Sequence, residues 1–222
     1  MPPEDRFQSA VEIYRGHETQ IYRATRRRDG QRVVVKCLAQ EYPSPVQIAR
    51  FERESALLCK LAGPGFPTVF GLESQGHARR IVFSDDGLEA LDRLPVPLPL
   101  DAFFTLAREL IGILSRLHAA HVLHKGVTPA NVVLHPLRGQ VQLIDFGLAT
   151  DLPREVYAAS RPLLLEGTLK FIAPEQTGPM NRGVDYRADC YGLGATLYYA
   201  LTGQPPFTSD DALELVHSHI AR

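Results

Sequence analysis

The sequence predicts an α+β fold with two lobes, the first mainly β-sheet and the second mainly helical. Residues 20–84 contain short apolar stretches bounded by turn signals, which are typical of strands. Residues 100–201 contain longer stretches with the period of an amphipathic helix. The polar turn at residues 85–87 separates the two patterns. We therefore expect domains at residues 1–86 and 87–222, with a ligand cleft between them.

The first lobe is predicted from its turns and caps. Strands at residues 20–25 and 31–38 flank Asp29-Gly30, a strong hairpin signal. A helix begins at Ser44-Pro45, since serine caps helices and proline fits their first turn. It continues to about residue 62. Two more strands are predicted at residues 68–73 and 80–84.

Two charged residues lie where this lobe should be apolar. Lys36 follows three valines in its strand, and Glu54 lies between Phe51 and Leu58 on the core-facing side of the helix. A buried charge is costly unless it is paired, so we expect a salt bridge between Lys36 and Glu54. The alternative is a lysine whose head reaches solvent and a solvated glutamate.

The second lobe begins with a proline-rich connector to Asp101, which is expected to cap a long helix. The predicted buried stripe of this helix is Phe103, Ala107, Leu110, Leu114 and Leu117. Two short strands at residues 131–134 and 141–144 form a hairpin. A further helix, at about residues 188–201, is apolar nearly all round and ends at Gly203.

The hairpin of the second lobe predicts a metal site. Asn131 opens its first strand and Asp145 closes its second, so antiparallel pairing brings both to one edge. Their oxygen atoms suit Mg²⁺, which takes few protein ligands. The alternative, a turn residue and a helix cap, is disfavoured by the Phe146-Gly147 that follows.

Charge and composition exclude some classes of protein. A formal net charge of -1 gives no electrostatic reason to bind nucleic acid or an anionic membrane, and no apolar run approaches a membrane span. The cysteines, Cys37, Cys59 and Cys190, lack metal-binding spacing and are expected to be reduced thiols in apolar surroundings. A cytoplasmic location is expected.

The order of Lys36, Glu54, Asn131, Asp145-Phe146-Gly147 and Ala173-Pro174-Glu175 resembles the signature of protein kinases. The resemblance implies a protein-kinase-like bilobal fold that uses ATP and Mg²⁺. It places Lys36 on the phosphates, Glu54 on Lys36, and metal on Asn131 and Asp145. The implied nucleotide-binding residues are Gly16, Lys36, Phe83, Ser84, Asp85, Asp86, Asn131 and Asp145. Phe83 would line the adenine pocket, and residues 84–86 would form the hinge.

Two kinase motifs are incomplete. Only Gly16 remains of three phosphate-loop glycines, the others being Tyr14 and Thr19. In the catalytic loop, His124-Lys125-Gly126 stands where kinases have His-Arg-Asp, so the base position holds a glycine. A positioned base contributes about 10²–10⁴ in rate. We therefore predict weak phosphoryl transfer to protein serine or threonine, or alternatively an ATP-binding pseudokinase.

Residues 167–175 resemble the peptide-binding end of a kinase activation segment, with Thr168 at the position typical of serine/threonine kinases. This favours a protein or peptide substrate over a small molecule. Thr150, Tyr157 and Ser160 are possible phosphorylation sites.

Residues 174–189 and 211–221 resemble the N-terminal kinase-like domain of large bacterial hybrid proteins that also contain an AAA-type ATPase, a GAF domain and a sensor histidine kinase. Fused C-terminal signalling domains are therefore expected partners. The wider resemblance to the protein kinase fold implies that Asp189 hydrogen-bonds the catalytic loop. The second lobe is expected to be truncated after the kinase αG helix, exposing Leu213, Val216 and Ile220.

Overall fold

A five-stranded antiparallel sheet forms the first part of the chain, in the order β1-β2-β3-β5-β4. The computed structural model describes residues 6–75, 78–135, 138–150, 169–177 and 183–221. The strands of this sheet are β1 (Phe7–Arg15), β2 (Thr19–Arg26), β3 (Arg32–Leu38), β4 (Val69–Gln75) and β5 (Ala78–Ser84). The chain divides into two compact units, Met1–Gly87 and Leu88–Arg222.

Helix α1 (Pro45–Lys60) belongs to the first unit, and it begins where its cap predicts. The Ser44 hydroxyl accepts from the Gln47 N–H at 3.3 Å, and the Gln47 side chain accepts from the Ser44 N–H at 2.9 Å. This reciprocal capping box satisfies two backbone donors that the helix leaves unpaired. Phe51 and Leu58 are buried as expected.

Strand β3 has a different character on each of its faces. Val33, Val35 and Cys37 pack into an apolar cluster with Phe7 and residues of β2 and β5. Because side chains alternate along a strand, Lys36 points to the opposite face. There it meets α1, which contacts strands β4 and β5 of the same sheet.

The second unit is mainly helical. Its helices are α2 (Leu100–Ala119), α3 (Tyr186–Thr202) and α4 (Ala212–Ala221), and its strands are β6 (Glu89–Ala90), β7 (Val132–Leu134) and β8 (Val141–Leu143), which pair in that order. Together with the first unit this confirms the α+β class. Within the described ranges, no helix combines the length and apolarity needed to cross a membrane.

Some sequence predictions for α2 were wrong. The helix begins at Leu100 after Pro99, so Asp101 lies inside the first turn rather than at the cap. Its buried residues are Leu106, Leu110, Ile113, Leu114 and Leu117, and the predicted Phe103 and Ala107 are only half-buried. The helix carries apolar residues on two sides, and the opposite side exposes Leu100, Phe104 and Ile111.

Helix α3 is less buried than its sequence predicts. It ends at Gly203, whose φ of 76° is the left-handed conformation typical of a helix C-terminus, as expected. One side, however, exposes Tyr198 and Leu201.

The prediction that all three cysteines lie in apolar surroundings was wrong for two of them. Cys59 and Cys190 are exposed, and only Cys37 is buried.

Candidate ATP and magnesium site

In the first unit, Lys36 and Glu54 form a buried ion pair. The Lys36 Nζ lies 2.8 Å from each carboxylate oxygen of Glu54. The two side chains are only 7% and 3% exposed. Strand β3 supplies the lysine and helix α1 supplies the glutamate. The pair therefore holds an ammonium group at a fixed point beside the sheet.

The turn between β1 and β2 contains the predicted phosphate-loop glycine. The Gly16 N–H donates to the Thr19 carbonyl at 2.9 Å, which closes the turn. A Cβ at Gly16 would lie 2.6 Å from the Tyr14 hydroxyl. Glycine thus allows the Tyr14 ring to lie against this turn, where kinases with a full motif have another glycine.

The predicted hinge, residues 84–86, begins at the last residue of strand β5. Phe83 is buried and pairs with Val34 of β3, and Asp86 is exposed. The Asp85 side chain, 3% exposed, lies 3.0 Å from Arg32 Nη2 and 3.3 Å from Arg23 Nε.

Asp85 also accepts from the Gly87 N–H at 3.1 Å. Its carboxylate is therefore engaged within the first unit, by two arginines and a backbone donor. If Asp85 contacts a nucleotide, it does so through its backbone atoms, because its carboxylate is already engaged.

In the second unit, Asp189 of α3 organises the catalytic loop, as the resemblance implies. Its carboxylate accepts from the N–H groups of His124 at 2.9 Å and Lys125 at 2.7 Å. The His118 Nε2 lies 2.9 Å from the same carboxylate. Burial would raise the pKa of Asp189, but the His118 hydrogen bond and these two N–H groups bring it below its ordinary value. Asp189 is therefore an anion that anchors the loop.

His124 is fully buried in this loop, and its contacts define its tautomer. Its Nδ1 accepts from the Gly126 N–H at 3.2 Å, so the ring proton lies on Nε2. The Nε2 then donates to the Ile144 carbonyl at 3.1 Å. The ring also packs edge-on against Phe146, with centroids 4.6 Å apart.

The base position at Gly126 has room for a Cβ atom. A Cβ built there would lie 3.5 Å from the Asn131 Nδ2 and 3.6 Å from the His124 Nδ1, which are ordinary van der Waals distances. Gly126 is also not among the glycines with a positive φ. The loop therefore does not require glycine at this position.

Asn131 and Asp145 lie at the same end of the β7–β8 pair. Asn131 is in the 3₁₀ turn Pro129–Asn131 rather than in the strand, and its carbonyl accepts from the Ile144 N–H at 2.9 Å. Asp145 is exposed and has a φ of 63°. The Asn131 Nδ2 donates to the Gly126 carbonyl at 2.8 Å. Because the nitrogen of the amide is engaged in this way, its oxygen is the atom that can bind a cation.

The donor set of this pair fits Mg²⁺. One carboxylate and one amide oxygen are hard ligands, and Mg²⁺ usually completes its shell with water and phosphate. In the part of the chain that the structure describes, no group of three or more His, Cys, Asp or Glu residues could hold a metal ion. A metal that depends on a bound phosphate therefore suits this site better than a closed protein cage.

The predicted activation-segment residues Thr168, Tyr157 and Ser160 lie outside the described residues. Thr150 is buried, and its backbone pairs with Leu123 in both directions at 2.9 Å, so it is a poor phosphorylation site in this conformation.

Sequence reasoning missed the residues that hold the site from outside the motifs. Arg23 and Arg32 bind Asp85, and Gln176 donates to the Lys125 carbonyl at 2.9 Å.

Comparison with known proteins identifies relatives along almost the whole chain. The family model described as protein kinase domain matches residues 7–222. The DNA damage-responsive serine/threonine-protein kinase RqkA of Deinococcus radiodurans is 32% identical over 221 residues, which cover 97% of this chain and 32% of that protein. The serine/threonine-protein kinase PknA of Mycobacterium tuberculosis is 31% identical over 221 residues, or 94% of this chain and 49% of PknA.

A probable serine/threonine-protein kinase PknB of Bifidobacterium longum is 26% identical over 236 residues, or 97% of this chain and 33% of that protein. The chain thus spans a third to a half of the length of these curated relatives.

Proposed function

Since the chain belongs to the protein kinase family, we propose that it binds ATP with Mg²⁺ and transfers the γ-phosphate slowly to serine or threonine of a protein. Protein kinases in general use ATP and Mg²⁺. Lys36, held by Glu54, contacts the phosphates, while Asn131 and Asp145 bind the metal. The backbone of residues 84–86 and the buried Phe83 contribute to the adenine site, and the turn at Gly16 covers the phosphates.

The observation that carries this proposal is the Lys36–Glu54 ion pair. Burying two charges is costly, and apolar residues of similar size often serve stability as well or better. A function that needs a fixed ammonium group explains the pair better than stability does. Binding to nucleotide phosphates is such a function in this family.

The slow rate follows from Gly126. In the transfer step the substrate hydroxyl oxygen forms a bond to the γ-phosphorus, and the bond from that phosphorus to the β-phosphate oxygen breaks, so that ADP leaves. The hydroxyl proton needs an acceptor, and Gly126 has no side chain to receive it. The proton then passes to solvent water. Positioning and charge stabilisation by Lys36 and the metal remain, so transfer is reduced rather than abolished.

Gly126 also favours a second candidate function. An ATP-binding pseudokinase would respond to nucleotide and regulate fused signalling domains without phosphorylating a substrate. Thr128 is buried and occupies a position where serine/threonine kinases usually have lysine. The γ-phosphate therefore lacks the positive charge that this lysine would place beside it. The two candidates share the ATP site and differ in whether any peptide is phosphorylated.

Restoring the carboxylate at residue 126 tests the proposal. A Cβ fits at Gly126 without displacing its neighbours, and we expect Gly126→Asp to raise the kcat for phosphorylation of a serine or threonine peptide by about 10²–10⁴. Gly126→Ala is the matched control, because it adds the Cβ without a base and should leave kcat unchanged.

Two results would contradict this account of Gly126. One is a wild-type kcat equal to that of Gly126→Asp, which would show that the missing base costs nothing. The other is no phosphorylation by either protein despite ATP binding, which would favour the pseudokinase.

A further inference from the structure

The backbone of Lys125 has an unfavourable conformation. Its φ is 62°, in the left-handed region that residues with a Cβ rarely occupy and that only glycine adopts freely. Such a conformation persists only where neighbouring groups hold it. The Lys125 N–H is held by Asp189 at 2.7 Å, and its carbonyl must be held from another direction.

Gln176 holds that carbonyl. Its Nε2 donates to the Lys125 oxygen at 2.9 Å, and its Oε1 accepts from the Ala173 N–H at 3.3 Å. Both ends of the amide are therefore engaged. Gln176 closes the 3₁₀ turn Pro174–Gln176, so one side chain joins this turn to the catalytic loop across 51 residues of sequence.

The hydrogen bond from Gln176 acts on a peptide group that is also held at its other side. The Lys125 carbonyl and the Gly126 N–H belong to the same planar peptide. The carbonyl accepts from Gln176, and the N–H donates to the His124 Nδ1 at 3.2 Å. The orientation of this peptide thus depends on both contacts.

The next carbonyl along the chain, that of Gly126, links the orientation of this peptide to Asn131. The Gly126 carbonyl accepts from the Asn131 Nδ2 at 2.8 Å, and this contact directs the amide oxygen of Asn131. If the peptide between residues 125 and 126 rotates, the Gly126 carbonyl moves and Asn131 loses its fixed orientation.

We propose that Gln176 is a positioning residue for the magnesium ligand Asn131, acting through the peptide that joins Lys125 to Gly126. The inference rests on the proposed function, because it assumes that Asn131 binds Mg²⁺ together with ATP. Gln176 is not among the residues proposed to bind the metal or the nucleotide.

The test replaces the donor of Gln176 and keeps its acceptor. Gln176→Glu retains an oxygen for the Ala173 N–H but cannot donate to the Lys125 carbonyl. Gln176→Leu removes both polar contacts without adding charge, which separates loss of the donor from the effect of a new carboxylate. Gln204→Glu, at an exposed position, is the matched control for the charge change.

Isothermal titration with ATP, in excess Mg²⁺ and in EDTA, measures how much Mg²⁺ strengthens ATP binding. We expect this enhancement to fall about two- to tenfold in Gln176→Glu and Gln176→Leu, the effect of one hydrogen bond. The ATP affinity in EDTA and all values for Gln204→Glu should remain those of the wild type. The Gly126 amide should also exchange its hydrogen faster in both Gln176 variants.

Each contrary outcome has a distinct meaning. If the Gln176 variants keep the wild-type enhancement, the inference is overturned while the proposed function stands. If they lose affinity equally with and without Mg²⁺ and unfold at lower temperature, Gln176 is a general structural residue and the inference is again overturned. If the wild-type protein itself shows no enhancement by Mg²⁺, the proposed function fails and the inference fails with it.

Discussion

At the scale of single residues, substitutions in the Lys36–Glu54 pair should affect stability and ATP binding differently. Each partner compensates the charge of the other in a place that excludes water. Removing one partner leaves an uncompensated buried charge, whereas removing both leaves an apolar contact. In the proposed function, by contrast, ATP binding depends on Lys36 whether or not Glu54 is present.

We therefore expect Lys36→Met to lower the free energy of unfolding by about 3–5 kcal/mol and to abolish ATP binding. The double variant Lys36→Met/Glu54→Leu should regain most of that stability and still not bind ATP. Chemical denaturation and nucleotide titration measure the two effects.

The exposed Arg50–Glu18 pair, at 3.3 Å, is the control. Arg50→Met should cost less than about 1 kcal/mol, since exposed pairs contribute little. A Lys36→Met protein as stable as the wild type would contradict the buried pair.

Individual residues were predictable where chemistry conflicts with the local pattern. Lys36 and Glu54 are charges on apolar faces, and that conflict alone indicates a pair. The contacts of Asp85 with Arg23 and Arg32 gave no such local signal, because they join residues 62 and 53 positions apart. The left-handed backbone of Lys125 was equally hidden, since lysine is not a residue that indicates such a conformation.

At the scale of elements, helix α4 packs through a face that contains a histidine. Leu215, Ser218 and His219 are buried. Leu213 and Ile220 are exposed as the sequence predicts, but Val216 is half-buried against the cluster that contains Leu215. The His219 Nδ1 lies 2.6 Å from the Tyr191 hydroxyl, and its ring packs edge-on against Phe207. Burial lowers the pKa of His219 below its ordinary value of 6.5, although the Leu169 backbone offsets part of that effect.

The packing of α4 should therefore weaken in acid. With its pKa lowered in the folded state, His219 binds a proton more readily when unfolded, so stability falls as the pH decreases below about 6.5. We expect the melting temperature to fall less between pH 7.5 and pH 5.5 in His219→Gln than in the wild type. His217→Gln, at an exposed position of the same helix, should behave as the wild type. Equal pH dependence in all three proteins would contradict the prediction.

Elements were predictable where turns and caps mark them. Ser44 and Pro45 mark the start of α1, and Gly203 marks the end of α3. Strand β1 was not predicted, because two register irregularities against β2 interrupt its alternation of buried and exposed residues. The buried side of α2 was partly wrong, since apolar residues lie on two sides of that helix and local periodicity cannot decide between them.

At the scale of the whole molecule, the order of short motifs along the chain was sufficient to predict the family. The α+β class and the protein kinase family are confirmed, and the match extends over residues 7–222. The roles of the individual site residues remain predictions. So does the connection to fused signalling domains, because the resemblance that implies it concerns short segments such as residues 211–221.

The central claim is that this chain binds ATP together with Mg²⁺, and calorimetric titration with ATP tests it most directly. We expect Mg²⁺ to strengthen ATP binding by the wild-type protein, and Asp145→Asn to remove most of this enhancement because the proposed carboxylate ligand is lost. Asp92→Asn, an exposed aspartate outside the site, should keep it. Wild-type protein that binds no ATP, or binds it equally with and without Mg²⁺, would contradict the account.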